Sequence, residues 1–230
     1  MASAGWPRAV IFDLDGTLVD SAPEIREAVN AGFAPLGIGP FGIEAVKGMI
    51  GGGAAVAVRR AAALAGVTLS AADEQAVLGR FMETYAAVSA ASRGLYPGAH
   101  DVLGALSAQG VALALCTNKA APITRISLEA LGIAHYFGTV VAAEDGKPRK
   151  PDPDPLRRAV ASFGVGMSDV VMIGDSDADI AAARAAGCRS IAVSYGYSAI
   201  PVEALGADAT VNALREVPDA LRRLTPCRER

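Results

Sequence analysis

The 230-residue chain has little excess charge, few cysteines and no long apolar run. Lys and Arg number 21 against 24 Asp and Glu, a formal net charge of −3. So mild a balance builds no polyanion-binding surface, and nucleic acid is excluded as an expected partner. The three cysteines, Cys116, Cys188 and Cys227, form no C-x-x-C pair and no metal-ligand spacing. A sparse, odd set fits a reducing compartment. Cys116 and Cys188 lie in apolar surroundings and read as small core residues. The most apolar stretch, Gly53 to Gly66, is broken by Arg59 and Arg60, so no membrane span is expected. Residues 1–8 carry no apolar targeting core, and the expectation is a soluble cytoplasmic protein. There is no internal repeat. His100 and His135 sit away from every predicted strand end and read as structural or surface residues.

What is present is apolar content. At 52% hydrophobic and 20% charged residues, the chain can bury one large domain, or a core with an insert. Val10-Ile11-Phe12 reads as a buried strand, and Asp13, Asp15 and the turn residue Gly16 follow at once. Residues 21–92 hold no strand pattern. They predict helices over 22–36, 41–49, 53–65 and 71–91, parted by Gly/Pro breaks, with Ser70 as an N-cap and Asp73 three residues on. From Tyr96-Pro97-Gly98 the chain alternates. Helices over 98–109, 120–131, 154–163 and 178–186 precede strands at Val111–Cys116, Thr139–Ala142, Val170–Ile173 and Ser190–Val193. A strand at Ala209–Val211 and a helix over 213–224 follow, and Arg222–Arg230 reads as a charged, fraying tail. Alternation of this kind predicts a doubly wound, Rossmann-like parallel sheet, α/β in class. The expected division is an α/β core, 1–18 and 95–230, with an inserted all-helical cap domain, 19–94, over the first strand's carboxyl end.

Three further segments carry polar residues to that same edge. Leu113–Cys116 is followed by Thr117-Asn118-Lys119. Lys150-Pro151-Asp152-Pro153 lies in the loop after the third strand. Val170–Ile173 is followed by Gly174-Asp175 and, further on, Asp179. Parallel strands bring such ends together. Phosphoryl transfer needs this set. A carboxylate cannot approach an anionic phosphate ester unless a cation intervenes, and Mg2+ held by a few carboxylates does this. Asp13 and Asp175 are the natural ligands. Thr117 and the following backbone N–H groups can bind phosphate oxygens, and Lys150 can neutralise the phosphoryl charge. Lys147-Pro148 offers a second Lys-Pro pair, but only Lys150 continues as Pro-Asp-Pro before a helix.

The four segments resemble, in order, the motifs of the haloacid dehalogenase superfamily. Asp13-Leu14-Asp15-Gly16-Thr17 resembles its D-x-D-G-T, Thr117 its second-motif hydroxyl, Lys150 its lysine, and Gly174-Asp175 through Asp179 its G-D-x-x-x-D. Within it the chain is similar to the phosphoglycolate phosphatase group, through Val19–Pro23, Ile50–Gly53 with Arg60, Tyr96–Gly98, Thr117–Lys119, Leu128–Ile133, Lys150–Pro153 and Tyr195–Tyr197. Ala55, where many members carry an acid, and Gly39–Gly42 depart from the pattern. The resemblance implies a Mg2+-dependent phosphomonoesterase that works through an aspartyl-phosphate on Asp13, with 2-phosphoglycolate as the foremost substrate. Another small or sugar phosphate, or a β-phosphoglucomutase-like transfer, is the alternative. Asp15 would move the protons, and its backbone carbonyl would be a further metal ligand. Asp179 and Thr17 would orient the inner groups. Thr117, Asn118 and Lys150 would hold phosphate. Arg60, with Gly51 and Gly53, would choose the substrate, since a guanidinium reads a carboxylate bidentately. The implied partner is a small phosphorylated metabolite, with neither nucleic acid nor membrane involved, and the implied state is monomer or homodimer.

Overall fold

The computed structural model describes residues 5–224. Six parallel strands form one sheet: β1 (Ala9–Phe12), β2 (Ala112–Ala120), β3 (Thr139–Ala143), β4 (Val170–Gly174), β5 (Arg189–Val193) and β6 (Ala209–Val211). Their order is β3-β2-β1-β4-β5-β6. The chain therefore winds outward on both sides of β1, and the order reverses between β1 and β4. That reversal is where an open parallel sheet leaves a crevice beyond its strand ends.

The pleat sorts β1 between two cores. Val10 and Phe12 pack on one face with Leu103 and Leu106 of α5 (Ala99–Ala108) and Leu221 of α9 (Val217–Leu224). Ala9 and Ile11 pack on the other with Leu156 of α7 (Asp154–Val160) and Ala183 of α8 (Asp177–Ala186). Covered on both faces, β1 has no polar side, and all four of its residues are buried.

Four α-helices stand between β1 and α5: α1 (Ala22–Phe33), α2 (Ile43–Lys47), α3 (Ala54–Leu64) and α4 (Ala71–Ser89). They enclose an apolar cluster of their own, with Ile25, Val29, Phe33, Val58, Val77 and Phe81 at its centre. Phe33 and Phe41 meet edge-on at 5.6 Å. Ser70 caps α4 by accepting the Asp73 N–H at 3.1 Å. The insert reaches the sheet layer through Ile123 of α6 (Ala121–Ala130), which joins the same cluster. The two chain crossings between insert and sheet run side by side. Asp20 N–H donates to Gly94 O at 2.7 Å and Tyr96 N–H to Leu18 O at 2.9 Å. A Cβ on Gly94 would come within 2.7 Å of Asp20 O, so only glycine permits this approach.

The structure departs from the sequence expectation in places. Most helices are shorter: α2 loses two residues at each end to Gly/Pro-flanked turns, and α9 starts at Val217. Helix 154–163 ends as α helix at Val160 and finishes as a 3-10 turn. β2 continues past Cys116 to Ala120, with a break in its register against β3 between those residues. The tail does not fray from Arg222. That residue lies in α9, pairs with Asp219 and stacks 5.3 Å from the Trp6 ring. Residues 225–230, Cys227 among them, lie outside the described residues. Leu103 is fully buried between α5 and the sheet. Leu103→Ala is expected to cost about 2–5 kcal/mol, read as a lower urea midpoint at unchanged slope.

Candidate active site

The site grows from the carboxyl ends of β1 and β4. Asp13 N–H donates to Ile173 O at 2.9 Å, which extends the ladder one residue and presents the Asp13 side chain at the edge. After Asp13 the chain turns tightly. Thr17, Leu18 and Val19 N–H groups all converge on Leu14 O, and Gly16 takes a φ of +85°. A Cβ at Gly16 would lie 2.3 Å from Asp175 Oδ2, so the turn needs both the conformation and the bareness of glycine. Just past β4, Asp175 is held from two sides. Its Oδ1 accepts the Thr17 hydroxyl at 3.3 Å, and its Oδ2 accepts Tyr197 N–H at 2.6 Å.

Asp13, Asp175 and Asp179 each offer one oxygen within 4.8 Å of the others, and all three are buried. Lys150 stands among them at 2% side-chain exposure. Its Nζ is 2.8 Å from Asp13 Oδ1 and 2.6 Å from Asp179 Oδ1, and it also donates to Cys116 O at 2.7 Å. Asp179 has little left to offer. Its Oδ2 accepts from Ser176 N–H and Oγ at the start of α8, a reciprocal capping box. Asp13 Oδ1 is buried without a directed hydrogen bond, only the ion pair.

One lysine does not balance this charge. Burial pushes the Asp13 carboxyl up to about 7; Lys150 opposes the rise while Asp179 and Asp15 add to it. Burial likewise drives Asp175 well above the usual carboxylate range, with Asp179 and Asp13 contributing. Burial disfavours the Lys150 ammonium, but Asp13 and Asp179 outweigh it and raise its pKa. A donor set of hard oxygens, short of positive charge and with one oxygen lacking a directed partner, fits a divalent cation.

A cavity of about 60 Å³ opens above the cluster. Asp13, Asp15, Thr117, Asn118, Lys119, Asp175 and Ser176 form its floor, and Ile25, Met49, Ala57, Phe81, Met82 and Tyr85 of the insert its roof. The haloacid dehalogenase-like hydrolase family matches residues 10–193, which spans every one of these floor residues. The chain belongs to that family. Its hydrolase relatives include a phosphoglycolate phosphatase from Rhodospirillum rubrum, 44% identical over 221 residues that cover 94% of this chain and 91% of the relative. A second, from Caulobacter vibrioides, is 38% identical and covers 95% and 92%. The crystal structure of a predicted phosphoglycolate phosphatase from Haemophilus somnus superimposes with a TM-score of 0.86 at 30% identity, covering 93% and 97%.

Most residues singled out in this hydrolase's sequence meet at the cavity. The broken register of β2 lifts Thr117, Asn118 and Lys119 from the ladder toward it. Thr117 Oγ1 accepts Lys119 N–H at 3.2 Å, a turn bond within the segment. Asn118 ties two loops together. Its Nδ2 donates to Gly51 O at 3.0 Å and Lys150 O at 2.9 Å, while its Oδ1 accepts Lys150 N–H at 3.0 Å. Gly51 and Gly53 line the cavity, both with positive φ. Arg60 does not line it. Its guanidinium turns to the carbonyls of Gly48, at 3.4 Å, and Ile50, at 2.9 Å, behind the glycine loop. Lys147 is half exposed and pairs with Glu144.

Sequence reasoning passed over Tyr85, and it placed Lys119 beside Thr117 at the site without assigning it a contact. Asp15 Oδ1 accepts from Lys119 Nζ at 2.9 Å, and the same ammonium donates to the Tyr85 hydroxyl and lies 4.2 Å from the centre of its ring. Tyr85 sits mid-helix in a pattern that reads as apolar core; only the position of the insert turns it inward. Tyr197 was quoted for resemblance alone. Its hydroxyl donates to Asp20 Oδ1 at 2.6 Å and accepts Ala22 N–H at 3.0 Å, so it bridges Asp175 to the start of α1.

Removing Lys150 would strand two buried carboxylates. Lys150→Met is expected to lower stability by about 3–5 kcal/mol. Lys147→Met, at a solvated pair, should change it by under about 1 kcal/mol. Urea unfolding of both variants without divalent ions makes the comparison.

Proposed function

We propose that this hydrolase is a Mg2+-dependent phosphomonoesterase that splits 2-phosphoglycolate into glycolate and phosphate through an aspartyl-phosphate on Asp13. The observation that carries the reading is the pairing of Asp13 and Asp15 at one cavity. The first belongs to the buried carboxylate–lysine cluster, and the second turns to the insert side. The near-full-length similarity to phosphoglycolate phosphatases supports the substrate.

Asp13 attacks phosphorus in line, and its carboxylate becomes the acyl half of a mixed anhydride. Asp15 gives a proton to the departing glycolate oxygen, then takes one from the water that hydrolyses the anhydride. Lys150 sets Asp13 in place and offsets charge on the transferring group; Asp179 and Ser176 hold Lys150 in turn. Thr17 and Tyr197 N–H orient Asp175. Asp13, Asp175 and the Asp15 carbonyl would hold Mg2+, which would supply the positive charge that lets one anion approach another. Thr117 and its neighbouring amides take phosphate oxygens, and Asn118 fixes the loop of Lys150 against Gly51. Residues 1–18 and 95–230 serve as the catalytic core and 19–94 as the cap. The insert's separate apolar cluster and its paired crossings support that division. Closure would exclude water during transfer.

A phosphate-release screen over small esters with Mg2+ tests the reading. The wild-type enzyme should rank 2-phosphoglycolate first, and Asp13→Asn should lose at least about 1000-fold in kcat. A sugar phosphate ranked first would remove the substrate assignment. An active Asp13→Asn enzyme would remove the mechanism.

A further inference from the structure

The acid Asp15 and the cation beside it carry one step more. Lys119 is the one Lys or Arg among the described residues that line the cavity, where Asp13, Asp15 and Asp175 also face. Arg60, the guanidinium on the insert, is engaged by backbone carbonyls outside the lining. A second anionic group on a substrate finds its full opposite charge within the lining at Lys119. The lysine is fixed for the purpose. Its side chain is 2% exposed, with Asp15 Oδ1 at 2.9 Å, the Tyr85 hydroxyl as a second partner and the Tyr85 ring below it. An ammonium has three N–H donors, and these partners use two.

Position completes the argument. Whichever group protonates the leaving oxygen stands beside the carbon that bears it. In a phosphorylated 2-hydroxy acid the carboxylate is one methylene from that oxygen. A cation in contact with Asp15 is thus on the carboxylate's side of the scissile bond, and the apolar roof offers that carboxylate nothing else.

We infer that Lys119, positioned by Tyr85, is the residue that recognises the substrate's carboxylate and sets the enzyme's preference for phosphorylated acids over neutral phosphate esters. The inference rests on the phosphoglycolate reading, with the specificity determinant moved from Arg60 to the floor of the cavity. Because Tyr85 belongs to α4 of the insert and Lys119 to β2, recognition requires both halves of the cavity in place.

The test compares kcat/KM for 2-phosphoglycolate and ethyl phosphate, which share a carbon count and differ in the carboxylate, with Mg2+ present. Wild-type enzyme should prefer the acid, and Lys119→Met should cut that preference about 100-fold. Any loss through Asp15 lowers both substrates alike and cancels in the ratio. Tyr85→Phe keeps the charge and the ring; it should cut the acid-over-ester ratio of kcat/KM several-fold, any loss through Asp15 again cancelling in the ratio. If Lys119→Met does not fold, Tyr85→Phe decides alone. A preference intact in the variants that fold overturns the inference and leaves the phosphoglycolate reading standing. A wild-type enzyme with no preference for the acid overturns that reading, and the inference with it.

Discussion

The site depends on one buried ammonium shared between two carboxylates. Lys150 lies 2.8 Å from Asp13 and 2.6 Å from Asp179, in surroundings where each charge alone would be expensive to hold. Almost every loop at this sheet edge can be read as support for that contact. The α8 capping box fixes Asp179. Asn118 grips Lys150 through both its backbone N–H and its carbonyl. Cys116 O takes a further N–H of the ammonium. The arrangement still leaves Asp13 and Asp175 with raised pKa values from burial and mutual repulsion. The protein thus holds a concentrated negative field open at the topological switch between β1 and β4. Such a field is poor for folding and well suited to a divalent cation and a phosphoryl group.

The second constraint is how the insert sits on this edge. Its helices supply most of their own apolar core, and Ile123 of α6 joins it from the sheet side. The other ties to the sheet are polar and sparse. The crossings at Asp20 and Gly94 pair through backbone bonds. Tyr197 reaches Asp20 and Ala22. Asn118 holds Gly51, and Lys119 holds Tyr85. A handful of hydrogen bonds worth about 0.5–1.5 kcal/mol each can form and break during a catalytic cycle; a shared apolar core could not. Gly196 shows how closely the parts are set, since a Cβ there would fall 2.2 Å from Asp175 Cβ.

The floor of the site was legible in the sequence, and the roof was not. Asp13, Asp15, Lys150 and Asp175 sit at strand ends or in adjoining loops. Strand ends in a parallel sheet have a fixed destination, so residue type and position suffice. β1 reads as a strand because Val10, Ile11 and Phe12 leave no other use for so short an apolar run. β2 was cut short at Cys116 because Thr117, Asn118 and Lys119 look like a loop. The bulge that keeps them in the strand while turning them to the cavity leaves no trace in periodicity. Arg60 drew attention as a guanidinium on a cap helix, but the chain has many ways to occupy an arginine. Here it braces the carbonyls before Gly51. Tyr85 escaped notice for the opposite reason: at helical spacing an aromatic residue reads as core, and only the packing of the insert on β2 gives its hydroxyl a polar partner.

The difference between floor and roof has a physical cause that bears on how such an enzyme changes substrate. The floor is over-determined. Lys150 answers to both Asp13 and Asp179, so removing it leaves two buried carboxylates unmatched. The roof residues Ile25, Met49, Phe81 and Met82 answer mainly to shape, and volume-conserving apolar exchanges are tolerated at modest cost. Lys119 and Tyr85 stand where the two regimes meet. One end of the pair is bound to Asp15, the other to a helix of the insert. The buried charges are therefore anchored at the sheet edge, while the Lys119–Tyr85 contact joins that edge to the insert.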